Sequence, residues 1–158
     1  MSFGNNRNNV RDRNGPNMFT AIQIQNPALL KAFREVQCKA VEDNYYAKNY
    51  IVPLEEAHIT ISVMECQDLE FAAQEFSRVL EENREELSSL RSEVEFIGTD
   101  TFGDKVLYVK PSSGLQFLSK ARDILKKNIL DNQERGKMKD HCYPHYNPHL
   151  TMFHIRYR

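Results

Sequence analysis

His58-Ile59-Thr60-Ile61, inside the run Ala57-His58-Ile59-Thr60-Ile61-Ser62-Val63-Met64, returns near the other end of the chain as His149-Leu150-Thr151-Met152, inside Asn147-Pro148-His149-Leu150-Thr151-Met152-Phe153. Read as β-strands, both tetrapeptides put histidine and threonine on one face and their apolar partners on the other, because side chains alternate along a strand. A single His-x-Thr arises by chance. Two copies in similar surroundings point to a duplicated unit that presents a titratable imidazole beside a hydroxyl, twice.

Working outward, each copy is preceded by the same elements. Residues 19–24 alternate like a strand, and Asn26-Pro27 opens a helix to about residue 45, with Asn26 as its cap and Leu29, Leu30, Phe33, Val36 and Val41 as its apolar stripe. A polar loop then leads to the first His-Thr strand, residues 57–64. Asp68 caps a second helix whose Leu69, Ala72, Phe76, Val79 and Leu80 face inward. Strands follow at residues 94–98 and 106–110, joined by the turn Thr101-Phe102-Gly103-Asp104. A third helix covers residues 114–130, with Leu115, Leu118, Ala121, Ile124 and Leu125 inward, and the polar segment 131–140 ends it. The last strand covers residues 148–155. Strand, helix, loop and His-Thr strand thus occur in the same order in residues 19–64 and 106–152. This predicts an α+β fold of two lobes of antiparallel sheet plus helices, related by a pseudo-twofold axis around a central cleft.

Composition bounds the alternatives. With 158 residues, 41% of them hydrophobic, the chain suits one domain with its own core. Residues 1–17, rich in Asn, Arg and Gly, read as a disordered polar tail, leaving 18–158 as the domain. The net charge of −1 conceals a glutamate-rich middle and a basic end that flanks the second His-Thr pair and suits a phosphate-bearing ligand. There is no long apolar run and no signal-peptide pattern, so neither a membrane span nor secretion is expected. Cys38, Cys66 and Cys142 are odd in number and scattered, as in a reducing compartment, which makes the cytoplasm, or the nucleus, the expected location. His141, Cys142, His145, His149 and His154 crowd together, but Pro144 and Pro148 keep His145 and His149 off a shared helix turn, and no zinc-binding spacing is present. No metal and no cofactor is expected.

The two His-x-Thr stretches, together with Ile97-Gly98-Thr99-Asp100-Thr101-Phe102-Gly103, resemble the 2H phosphoesterases, and most closely the central domain of the A-kinase anchoring protein 7 branch. The resemblance covers residues 17–153. It implies His58, Thr60, His149 and Thr151 as catalytic residues, cleavage of 2′,5′-oligoadenylate and binding of adenosine monophosphate. Kinase anchoring is not expected, because in that branch a further amphipathic helix, carboxy-terminal to this domain, docks the kinase regulatory subunit.

The residue types suit that chemistry. An imidazole with its ordinary pKa of about 6.5 exists in both protonation states at cellular pH, so one ring can act as base while its twin acts as acid. The threonine hydroxyls would donate to nonbridging phosphoryl oxygens. Phe102 and Tyr146 are candidates to stack on a base. Regular alternation points Arg156 to the face opposite His149. The expected partner is an oligonucleotide or nucleotide, met by a monomer without membrane or DNA. The rival readings are a non-catalytic nucleotide (AMP) sensor or scaffold and a 3′,5′-RNA or cyclic-nucleotide phosphodiesterase.

Overall fold

The structure is a computed structural model that describes residues 2–5, 15–91, 93–103 and 105–155. In chain order the elements are strands β1 (Ser2–Asn5) and β2 (Met18–Gln23), helix α1 (Pro27–Asp43), 3-10 turns at Tyr45–Tyr50 and Leu54–Glu56, and strand β3 (His58–Glu65). Helices α2 (Leu69–Glu82) and α3 (Arg84–Ser89) come next, then strands β4 (Phe96–Phe102) and β5 (Val106–Pro111), helix α4 (Leu115–Glu134) and strands β6 (Lys139–Asp140) and β7 (Leu150–His154). All pairings are antiparallel, and the strands form one sheet in the order β1-β2-β3-β7-β5-β4, with β6 alongside β3.

The duplicated order is evident in the sheet: β2-α1-β3 supplies one half and β5-α4-β7 the other. They meet where β3 pairs with β7 through Ile59 and Leu150. A shared sheet thus joins the two lobes. Its core face carries Ile59, Ile61, Leu150 and Met152, all buried against Phe33 of α1, Phe76 of α2 and Leu118, Ala121, Leu125 and Ile129 of α4. These apolar partners of the two motifs are what anchor the strands.

A shared irregularity strengthens the pseudo-symmetry. Thr20 opposes Ser62 and Ala21 opposes Thr60, so Ile61 is an extra residue in β3. Leu107 opposes Phe153 and Tyr108 opposes Thr151, so Met152 is an extra residue in β7. Each bulge sits at the same place, at the end of its His-x-Thr-x tetrapeptide, and each reverses which residues face the core. Ser62 is therefore buried, with its hydroxyl 2.5 Å from that of Thr20. In β7 the carbonyl of Met152 accepts from Val52 N at 2.9 Å and from the buried Gln37 Nε2 at 3.2 Å, which ties α1 to the bulge. Strict alternation, the basis for turning Arg156 away from His149, does not hold through Met152, and Arg156 lies outside the described residues.

Several expectations change. Ser2–Asn5, expected in a disordered tail, pairs with Met18–Ala21 as an edge strand. Backbone hydrogen bonding to the free edge of β2 requires no apolar pattern, which is why composition conceals it. Residues 6–14 of that tail lie outside the described residues. In α1 the inward position belongs to Gln37 and not to Val36, which is 45% exposed, because Gln37 stacks one turn below Phe33 and finds carbonyl partners. Leu69 and Leu115, at the first turns of their helices, are exposed rather than inward. Phe102 ends β4 instead of occupying a turn: Gly98, at φ 68°, is the bulged residue between Ile97 and Thr99 and lets the strand continue past it. Helix α4 runs on to Glu134, beyond the expected stop, because its polar end is satisfied internally. Among the described residues no helix is long and apolar enough to cross a membrane.

That polar end locks α4 to α2. Buried Asn132 donates through Nδ2 to Glu75 Oε1 at 3.0 Å and to Asn128 O at 3.0 Å, while Arg78 Nε reaches Glu75 Oε2 at 2.9 Å. The Arg78 hydrogen bond, followed by that from Asn132, holds the Glu75 carboxyl below the ordinary carboxylate pKa. A lowered folded-state pKa contributes stability above the unfolded value, and that contribution disappears as pH falls through the folded one. Glu75→Gln is expected to lose about 1 kcal/mol at neutral pH. Urea titrations should show the gap from wild type closing as the pH drops below the carboxylate range.

Candidate active site

Both motif histidines head their strands, and both are oriented by a backbone carbonyl two residues upstream. Nδ1 of His58 lies 2.6 Å from the Glu56 carbonyl oxygen, and Nδ1 of His149 lies 2.8 Å from that of Asn147. A carbonyl oxygen can only accept, so each Nδ1 carries the hydrogen. In the neutral ring this leaves Nε2 as the basic nitrogen, and in the protonated ring Nε2–H is the proton available for transfer.

The register then sets the four motif side chains together. With Ile59 across from Leu150, the same antiparallel register one step to either side sets His58 across from Thr151 and Thr60 across from His149. All four share the face opposite Ile59 and Leu150, and all four are half-buried. Directly opposed residues in an antiparallel pair lie about 4.5–5.5 Å apart, so the motifs form a two-by-two array of alternating imidazole and hydroxyl groups. Such an array can contact one phosphate from both sides.

The array continues across the sheet in two rows. Carrying the recorded register on by one residue aligns Gln23, His58, Thr151, Tyr108 and Asp100 in one row and Ala21, Thr60, His149 and Lys110 in the other. The surroundings of the two histidines differ. His58 stacks on Phe19, with centroids 5.3 Å apart and planes at 29°. His149 meets the edge of Phe102 at 4.9 Å and Tyr108 at 5.1 Å, and Phe102 and Tyr108 stack on each other at 4.2 Å. Lys110 Nζ lies 5.8 Å from the Tyr108 centroid and 2.7 Å from Asp100 Oδ2. The motifs alone do not single out Phe19, Tyr108, Lys110 or Asp100. Tyr108 and Lys110 alternate along β5 and so share a face, but only the pairing with β7 shows that this is the face of the motifs.

Of the two proposed base-stacking residues, Phe102 is 40% exposed and adjoins His149. Tyr146 is differently engaged. Its ring packs on the core and its hydroxyl donates to the Thr60 carbonyl at 2.8 Å, and burial pushes its pKa well up. It ties the segment ahead of the second motif to the backbone of the first. Arg122 secures the same segment through Tyr143 O at 2.6 Å, and His141 N donates to Val63 O at 3.0 Å. Within it, burial raises the Cys142 thiol to about 11, which keeps it protonated and poorly nucleophilic. His141 faces Glu65 at 3.4 Å, whereas His145 and His154 are exposed.

A cavity of about 510 Å³ lies elsewhere, between the end of α1 and the β4–β5 hairpin, lined by Asn44, Tyr50, Thr101, Leu107 and Phe153 among others. Thr101, Leu107 and Phe153 are register partners on the face away from the motifs. The cavity and the paired motifs thus lie on opposite faces of the sheet.

No curated protein sequence matches the chain. A family model, the AKAP7 2'5' RNA ligase-like domain, matches residues 16–158, which takes in both His-x-Thr strands, the hairpin between β4 and β5 and the sheet that joins them. The chain belongs to this family, within the 2H phosphoesterases, and has their mixed α and β fold.

Proposed function

We propose that this protein is a metal-independent phosphodiesterase that cleaves 2′,5′-linked oligoadenylate through His58 and His149. The observation that carries this reading is the matched pair of Nδ1-to-carbonyl hydrogen bonds beside two threonines, which leaves two Nε2 atoms for proton transfer at one phosphate. Membership of a family described as 2'5' RNA ligase-like supports 2H phosphoesterase-type chemistry and favours the 2′,5′ linkage.

In the proposed reaction one Nε2 takes the proton from the free 3′-hydroxyl next to the linkage. The 3′-oxygen attacks phosphorus and the bond from phosphorus to the 5′-oxygen breaks. The other ring, protonated at Nε2, gives its proton to that departing oxygen. The products are a 2′,3′-cyclic phosphate and a free 5′-hydroxyl, and each histidine ends in its twin's starting protonation state. Thr60 and Thr151 hydrogen bond the nonbridging oxygens, where negative charge grows in the transition state. DNA lacks the internal nucleophile and is not a substrate.

Incubation with 2′,5′-linked triadenylate, followed by chromatography, tests the reading. Turnover that persists in EDTA is expected. Saturable binding with no product would make the site a nucleotide sensor, and loss of activity in EDTA with rescue by zinc or magnesium would contradict paired-histidine catalysis. His58→Ala and His149→Ala should each lower kcat by about 10²- to 10⁴-fold, with the double variant little worse than either, because acid and base act on one phosphate.

The rate should be bell-shaped in pH, since one ring must be neutral and the other protonated, and each limb belongs to the pair rather than to a named residue. Thr60→Val and Thr151→Val keep side-chain shape but remove the donor. Each should lower the whole profile by about tenfold or more while leaving its limbs in place. Unchanged rates in the Val variants would reduce the threonines to packing.

A further inference from the structure

Lys110 is the only Lys or Arg among the described residues of β2, β3, β4, β5 and β7, the strands that build the face around the motifs. Continuing the pairs Tyr108–Thr151 and Val109–Leu150 by one residue sets it across from His149, in the row Ala21, Thr60, His149, Lys110. Adjacent strands lie about 4.8 Å apart, so a phosphate held between β3 and β7 is centred more than one strand spacing from the β5 position. Lys110 therefore stands beside the space that a scissile phosphate would fill, not within it.

Its ammonium is positioned but not exhausted. Asp100 Oδ2 takes one hydrogen bond at 2.7 Å, while Asp100 Oδ1 accepts from Thr101 N at 2.8 Å, so both carboxylate oxygens are engaged. An ammonium has three donors, which leaves hydrogen-bonding capacity for a ligand. The pair is open to solvent, with side chains 44% and 51% exposed, and an exposed ion pair exchanges partners readily. Tyr108, touching both the His149 ring and the Lys110 ammonium, forms the floor between the two positions.

We infer that Lys110, held by Asp100, forms a second phosphate subsite next to His149, which takes the phosphate one nucleotide removed from the bond to be cleaved. This rests on the reading of the His58–His149 face as a phosphodiester site. It makes the protein selective for ligands with two phosphates at internucleotide spacing over those with one. Asp100, on the β4 side of Lys110 and so away from His149, is a positioning residue that keeps the ammonium over the same face of the sheet as the motifs.

Isothermal titration calorimetry with adenosine 5′-monophosphate and adenosine 2′,5′-bisphosphate tests the subsite without any bond to cleave. Wild type should bind the bisphosphate roughly tenfold more tightly, as for one added charge-assisted contact. Lys110→Met should abolish that preference while leaving monophosphate affinity essentially unchanged, and should weaken the salt dependence of bisphosphate affinity. Lys139→Met, a charge removed from β6 at the sheet's margin, should preserve the preference. The subsite is overturned if wild type binds neither ligand or shows no preference, if Lys110→Met retains the preference, or if it weakens both ligands alike. Should the preference hold and vanish in Lys110→Met while triadenylate is not cleaved, the subsite stands and the phosphodiesterase reading fails. Cleavage of triadenylate with no such preference overturns the subsite and leaves the phosphodiesterase reading standing.

Discussion

Ile59 and Leu150 pair across the middle of the sheet, and burial of their side chains against α4 and its neighbours fixes the register of β3 against β7. Every relationship in the candidate site follows from that register. A slip by one residue would turn His58 and Thr60 into the core and push Ile59 and Ile61 into water, a change opposed by the hydrophobic effect and by desolvation of the imidazole and hydroxyl groups. The apolar half of each tetrapeptide thus acts on the chemistry indirectly, by making one alignment of the polar half far more favourable than its neighbours.

The bulges at Ile61 and Met152 extend the same logic. Each lets its strand keep the polar motif outward at one end while presenting Met64 or Phe153 inward at the other. An uninterrupted strand cannot do both with these residues. The requirement exposes backbone groups, and in β7 the Met152 carbonyl is satisfied by Val52 and Gln37, so a buried amide on α1 contributes to the geometry of a strand that it does not belong to.

The motifs, the helix caps at Asn26 and Asp68 and the repeated order of elements are legible in the sequence because each depends on local spacing or local hydrogen bonding, and Leu29 N and Phe71 N do bond to those caps. What escapes a sequence reading depends on partners distant along the chain. Gln37 is inward because carbonyls from residues 52 and 152 meet it, Ser2–Asn5 is a strand because β2 has an edge to offer, and α4 outlasts its apolar stripe because Glu75 receives Asn132. Phe102 stands out by its place in a family-like segment, but its role in a continuous strand requires the bulge at Gly98. Lys110 illustrates the limit most directly: an isolated strand lysine carries no signal until β7 is known to lie beside it.

The duplicated backbone gives the two imidazoles the same tautomer, since Glu56 O and Asn147 O make the same demand on Nδ1. Identical tautomers alone cannot divide the proposed labour of acid and base, because in that reaction each ring would offer the same atom to the same phosphate. The division has to originate in what duplication did not preserve. Among the described residues His58 stacks on Phe19, whereas His149 meets Phe102 and Tyr108, and Tyr108 in turn lies beside the Lys110–Asp100 pair. In the proposed reaction the pseudo-twofold therefore supplies a symmetric clamp for a nearly symmetric phosphate, and the side chains of β5, unlike those of β2, give that clamp a direction. The proposed substrate, with different groups on either side of its phosphorus, needs both properties, and the sheet has them in separate parts: the register in the motif strands, the polarity in the strand beside them.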